Sequence, residues 1–118
     1  MVEAEFIALS CCLREFLPMR ETAEEICRNF NVNMGDYNQL RSTVFEDNSG
    51  CLSIGKAKRM NPRTKHIAAP YHWFFEQIGP DSGIELVKID TTEQKADIFT
   101  KGLEKATFLM VRKLLIGW

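Results

Sequence analysis

At 118 residues, with 45% hydrophobic and 26% charged side chains, the chain is sized for one domain or part of one, built on a single core. That composition excludes a disordered chain, no apolar run approaches the ~20 residues that a membrane span needs, and a net charge of −1 excludes a chain that is basic throughout. The opening "MVEAEFIALSCCL" sets two acids and no base before its apolar part, against the pattern of signal and transit peptides, so an intracellular protein, cytoplasmic or nuclear and not secreted, is expected.

Residues 2–30 read as one helix, with Pro18 as its kink or break because proline cannot donate a backbone hydrogen bond. At about 100° per residue, Val2, Phe6, Leu9, Leu13 and Phe16 fall in one arc, the core-facing stripe, and Glu5 falls inside it. Glu3 projects to the far side, near Arg14, as a solvated acid. "NVNMGDYNQ", 31–39, reads as a connection. Thr43 to Asp47 then reads as a short strand whose alternation sends Glu46 and Asp47 to opposite faces, so that the two acids cannot do the same job.

Asn48-Ser49-Gly50 reads as a turn or helix start leading into a short helix, "CLSIGKA". "MNPRT", 60–64, is a loop by its Asn-Pro step, and "KHIAAPYHWFFEQI", 65–78, is helical if Pro70 lies in its first turn. Its aromatics read as core and His72 as a surface or core histidine. After the turn "GPDSG", "IELVKI", 84–89, is a strand with apolar residues on both faces, hence central or covered on both sides. "TTEQKADIFTKGL" reads as a helix capped by Thr91 or Thr92, and 104–116 as an amphipathic helix carrying Phe108, Leu109, Val111, Leu114 and Leu115. The class is therefore α/β, with two recognisable strands flanked by helices. Two strands make a poor sheet, so the expectation is a chain that borrows strands or begins partway through a domain.

Cys11, Cys12, Cys27 and Cys51 have neither C-x-x-C spacing nor a nearby His pair, so they read as buried free thiols on helices and not as a zinc site. From Gly55 to Ile67, Lys56, Lys58, Arg59, Arg63, Lys65 and His66 occur with no acid among them. A phosphate backbone responds to that local charge, so Lys58, Arg59, Arg63, Lys65 and His66 are the candidate nucleic-acid contacts, against the blander reading of a solvated basic face. Three acids stand in costly or end positions: Glu5 in an apolar arc, Asp47 at a strand end and Asp97 within "KADIFTK". Singly, Glu5 reaching a surface, Asp47 capping a helix and Asp97 on a helix surface are ordinary. Together at one end of a sheet they would form an oxygen-rich site for Mg²⁺.

Four blocks, "EAEFIALS" (3–10), "VFEDNSGCLSI" (44–54), "RTKHI…YHWF" (63–74) and "IELVKIDTTEQKADIFTKGL" (84–103), resemble in order and spacing the C-terminal ribonuclease H region of copia-type (pseudoviral) retrotransposon Pol polyproteins. The resemblance implies a ribonuclease H-like fold, a mixed five-stranded sheet flanked by helices. Of that fold this chain would be a partial domain over 1–118, lacking the first three strands and the metal-binding aspartate of the first. It implies that Glu5, Asp47 and Asp97 are catalytic metal ligands, with Glu46, on the opposite face of its strand from Asp47, facing away from the metals as a peripheral or solvent-facing acid, and that the family reaction is hydrolysis of the RNA strand of an RNA–DNA hybrid with two Mg²⁺ ions. The implied partners are a hybrid or other nucleic acid, and the rest of a Pol polyprotein or a second copy to supply strands. The chain departs from the pattern at Ala68 and Pro70, where many relatives carry an Asp and a basic residue, and "DTTEQK" stands where a His-bearing loop is usual.

With one ligand and three strands missing, the expectation is a retroelement-derived fragment without activity on its own. Two alternatives stand beside it: a non-catalytic nucleic-acid-binding or self-associating module, and a non-functional relic of a decayed element.

Overall fold

The computed structural model describes residues 2–57 and 69–118, with side chains from 73 onward in the second stretch. Helix α1 (Val2–Asn29) is followed by strand β1 (Ser42–Glu46), helix α2 (Ser49–Ala57), a 3₁₀ segment Ala69–Gln77 and strand β2 (Ile84–Lys88). Two short 3₁₀ segments, Thr91–Glu93 and Lys95–Phe99, lead to helix α3 (Lys105–Ile116). The two strands pair in parallel, with Ser42 opposite Ile84 and Glu46 opposite Lys88, so β1, its helical crossover and β2 form a βαβ unit and the α/β class holds.

The core lies on one face of this pair. Ile84 and Leu86 of β2 meet Cys51, Leu52 and Ile54 of α2, Phe6, Leu9 and Leu13 of α1, and Phe74 and Ile78 of the crossover. Phe6, Phe74 and Phe75 form an aromatic cluster with centroids 5.2–5.9 Å apart, in the tilted and edge-on geometries that ring quadrupoles favour. Ser10 is buried but satisfied, since its hydroxyl accepts from the Trp73 indole at 2.9 Å, and Arg14 lies over the same ring at 5.7 Å. Helix and strand approach closely at Gly55, where a β-carbon would come within 2.7 Å of Leu86 Cδ1.

Several sequence expectations change in the structure. Helix α1 runs through Pro18 without ending and closes on Asn31, which adopts φ 56° while Val32 donates to the Cys27 carbonyl and Asn31 to that of Arg28. This is a Schellman stop with asparagine in the left-handed position that glycine usually fills. Glu3 is half-buried, not solvated. Of the four cysteines only Cys51 is buried; Cys11 and Cys12 are exposed and Cys27 is half-exposed, because α1 presents those positions away from the core.

Strand β2 is covered on one face only. On the other, Phe45 is 52% exposed and its partner Val87 is half-buried, since no third layer covers that side among the described residues. The helix expected over 91–103 is two 3₁₀ pieces, because Gln94 between them is extended (φ −68°, ψ 103°) and its side-chain amide donates to the Phe45 carbonyl. Asp90, not Thr91 or Thr92, caps the first piece, accepting from the Thr92 backbone at 2.9 Å and its hydroxyl at 2.6 Å. The aromatic block is 3₁₀ over Ala69–Gln77 and packs inward as expected, whereas the 60–64 loop and the His72 side chain lie outside the described residues. No described helix is long and apolar enough to cross a membrane.

Candidate metal centre

Two elements, α1 and the end of β1, bring three carboxylates to the C-terminal end of the strand pair. Glu5 sits in the first turn of α1, one position before the buried Phe6, so anchoring the aromatic ring fixes the approach of the acid. Glu46 is the last residue of β1 and Asp47 follows it directly. One carboxylate oxygen from each of Glu5, Glu46 and Asp47 lies within 4.8 Å of the others. Glu5 and Asp47 are half-buried, and Glu46 is only 6% exposed.

Alternation from a metal-facing Asp47 sends Glu46 outward, and the structure reverses that expectation. Its parity is that of Val44, opposite Leu86 on the core face, so the outward positions are Thr43 and Phe45. Pairing as a strand stops at Glu46, and the alternation that would separate two adjacent acids does not extend to Asp47. Both therefore reach toward Glu5.

Asn48 organises this end. Its backbone N–H donates to Glu46 Oε1 at 2.9 Å, while its own side-chain oxygen accepts from the Cys51 backbone at 3.0 Å and its carbonyl receives the Leu52 N–H. It is thus the N-cap of α2. Acids beside a helix N-terminus are favoured by the partial positive charge there. Burial pushes the Glu46 carboxyl above its ordinary range; the Asn48 N–H and the Cys51 thiol, which both donate to it, oppose that shift, and the charges of Glu5 and Asp47 add to it. Burial, and then the charge of Glu46, push the Cys51 thiol far up, so it is a hydrogen-bond donor and not a nucleophile.

Asp97 is not brought into this trio. It sits half-buried in the 3₁₀ segment Lys95–Phe99, where both its carboxylate oxygens face the Lys101 ammonium, at 3.1 and 3.2 Å. Lys101 is pushed toward its charged form by Asp97 first, and also by Asp47 and Glu5, so the Asp97–Lys101 pair neighbours the trio electrostatically. Of the three acids singled out in the sequence, the structure joins Glu5 to Asp47, adds Glu46, and holds Asp97 on a lysine. Glu46, Asn48 and Lys101 were missed; the signal for Glu46 was the strand-ending Asn48-Ser49-Gly50 immediately after the acids.

Lys58, Arg59, Arg63, Lys65 and His66 lie outside the described residues. From the same basic stretch, Lys56 at the end of α2 lines a cavity of about 480 Å³ with Arg41, Ile78, Ile84 and Leu86. That cavity opens at the start of the strands, at the other end from the acids.

The chain is similar to the retrovirus-related Pol polyprotein from transposon TNT 1-94 of Nicotiana tabacum, with 30% identity over 111 residues. The matched stretch covers 92% of this chain and 8% of that polyprotein, and it supports an origin in a retrotransposon Pol polyprotein. No protein-family model matches, and no solved structure matches.

Proposed function

We propose that this chain is a retrotransposon-derived piece of a ribonuclease H-type centre, whose carboxylates hold Mg²⁺ for hydrolysis of the RNA strand of an RNA–DNA hybrid. The observation that carries this reading is the convergence of Glu5 and Asp47 with Glu46 within 4.8 Å, from positions far apart in the chain. The donor set suits a hard cation, being all carboxylate oxygen. The Glu46 carboxyl is raised by burial first, with the charges of Glu5 and Asp47 adding to that shift, and a divalent cation would offset the added negative charge.

Glu5 and Asp47 are the ligands in this reading, with Asp97 joining them once it is released by Lys101. Glu46, pinned by Asn48 and Cys51, holds the strand end in place behind them. When bound, Mg²⁺ ions activate a water and stabilise the leaving oxygen of a phosphodiester. A sheet of only two strands among the described residues is a poor free-standing scaffold. The centre is therefore completed by another segment of the polyprotein or by a second copy, and the chain alone does not turn over.

Calorimetric titration of the full chain with Mn²⁺ tests the metal reading. Glu5→Gln and Asp47→Asn should each weaken binding by about tenfold, the usual scale for an important residue at a metal site, and unchanged affinity in both would overturn it. Mg²⁺-dependent cleavage of a hybrid by the wild-type chain alone, lost in Glu5→Gln, would show instead that no further segment is needed.

A further inference from the structure

A second concave site lies at the other end of the strand pair from the acids. It is a cavity of about 480 Å³ bounded by the start of β1, the last turn of α2 and the turn before β2, a size within the range of small-molecule sites. Gly79 and Gly83 both line it with positive φ, 145° and 71°, so the turn curls back without putting a side chain into the space at either position. The backbone around it is tied from several elements. The Gly79 N–H donates to the Ile84 carbonyl at 2.9 Å and the Ser42 N–H to that of Gly83 at 2.7 Å. From outside, the Arg20 guanidinium donates to the Ser82 carbonyl at 2.7 Å and the Gln39 amide to that of Asp81 at 2.9 Å. A ligand meets this wall already formed and does not have to order it.

The lining combines an apolar floor with two cations. Ile78, Ile84 and Leu86, members of the buried core cluster, form the floor. Arg41, one position before β1, and Lys56, in the last turn of α2, are exposed and line the same cavity from separate elements. Neither side chain has an ion-pair or hydrogen-bond partner among the described residues. A lysine in a last helical turn is favoured by the helix dipole, which accounts for Lys56 but not for an arginine brought to the same cavity by a strand. Glu85, opposite Thr43 in the strand register, is the one acid among the described lining residues.

We propose that this cavity binds a small organic phosphate monoester, its phosphate held by Arg41 and Lys56 and its apolar body laid on Ile78, Ile84 and Leu86. A monoester carries a charge of about −1.5 to −2 at neutral pH, which two cations on separate elements match better than they match the single charge of a carboxylate. The guanidinium fork takes two phosphate oxygens and the ammonium acts on a third as a point charge. Glu85 repels the phosphate and limits the affinity. Because the site uses none of the acids at the other end of the strands, it stands or falls independently of the metal reading.

The test titrates the full chain at low salt with naphthyl phosphate, following backbone amide shifts by NMR, and with naphthol and inorganic phosphate as its two halves. The ester should bind at least about tenfold more tightly than either half, since burying a ring and pairing a charge each contribute on that scale. The shifts should centre on residues 41–43, 56 and 78–86. Arg41→Gln and Lys56→Gln should each weaken binding about tenfold, the lower end for a hydrogen bond to a charged group. Glu85→Gln should tighten it about two- to fivefold, the range for an exposed charge pair, and Lys105→Gln on α3 should leave it unchanged. Arg41 and Lys56 are exposed and hold no described partner, so their loss should not move the urea midpoint.

The proposal is overturned if no saturable shift appears at millimolar ester, or if the shifts centre elsewhere. It also falls if naphthol binds as tightly as the ester, which would make the cavity merely apolar, or if inorganic phosphate does, which would leave the floor without a role. Equal losses in Lys105→Gln and in the Arg41 and Lys56 variants would reduce the effect to the general charge of the surface and overturn it too.

Discussion

Helices α1 and α3 both carry apolar stripes in the sequence, yet α1 buries Phe6, Leu9, Ser10 and Leu13 while α3 buries only Val111. The difference is one of partners. The first half of α1 lies against α2 and the aromatic 3₁₀ segment, whereas the chief contact of α3 is the short segment Lys95–Phe99. Helix α1 makes the same point within itself, since Met19 and Ile26 in its second half are exposed, as is Phe30 just beyond its end. A radius of gyration of 16.1 Å, against about 13.5 Å for a compact domain of this length, reflects these uncovered surfaces. Periodicity specifies a face; burial needs a second surface to receive it.

Substitutions sharpen this contrast. Phe6→Ala should cost about 3–5 kcal/mol in urea denaturation, because Phe6 has no exposed surface and its loss opens a cavity against Phe74 and Phe75. Most of a small domain's stability would go with it. Val111→Ala should cost only about 1–2 kcal/mol, the scale of losing two buried carbons, and should speed hydrogen exchange in α3 before the rest. Equal costs, or one common exchange rate, would show that α3 shares the core after all. Between these lies Gly55→Ala. The new methyl meets Cδ1 of the buried Leu86 at 2.7 Å, and overpacking of about 1–3 kcal/mol outweighs the ~1 kcal/mol that alanine gains over glycine in a helix. The variant should therefore unfold at lower urea than wild type.

Much of the first region was legible. The arc of Val2, Phe6, Leu9 and Leu13, the two strands, the short helix after Gly50 and the aromatic block all follow from period and turn residues acting over a few positions. The second region was less legible because its structure depends on distant contacts. Gln94 reaches the Phe45 carbonyl and splits what reads as one helix, and no local pattern encodes that. At the site, Glu5 and Asp47 could be picked out because acids in an apolar arc and at a strand end are costly unless something pairs with them. Glu46 was misplaced because alternation was extended past the end of the strand, and Lys101 was passed over because a lysine near a chain's polar turns is usually solvated.

Smaller effects reach the acids themselves. With the Glu46 carboxyl raised by burial, the folded chain takes up its proton before the unfolded chain does as pH falls. Wild-type stability should then decline as pH rises from about 4.5, the ordinary value for this group, through the raised folded value. Glu46→Gln, measured in EDTA, should unfold at higher urea than wild type at pH 8, with the gap closing toward pH 4.5. A gap independent of pH would mean that burial does not raise the Glu46 carboxyl. The least effect is expected at Asp90, which is exposed and whose carboxyl is lowered by its two bonds from Thr92. Asp90→Ala should loosen amide exchange over 91–93 without moving the unfolding midpoint. The contribution it removes is present above the ordinary aspartate range and vanishes as pH falls through the lowered value.

Asn48 caps α2 with an amide where an aspartate would cap about equally well. Beside it three carboxylates already crowd within 4.8 Å, and an acid at that cap would place a fourth negative charge against them. The neutral side chain lets the helix begin next to the acids without adding to the load they carry. A choice between two near-isosteric residues at one turn thus sets the formal charge that any incoming cation must balance.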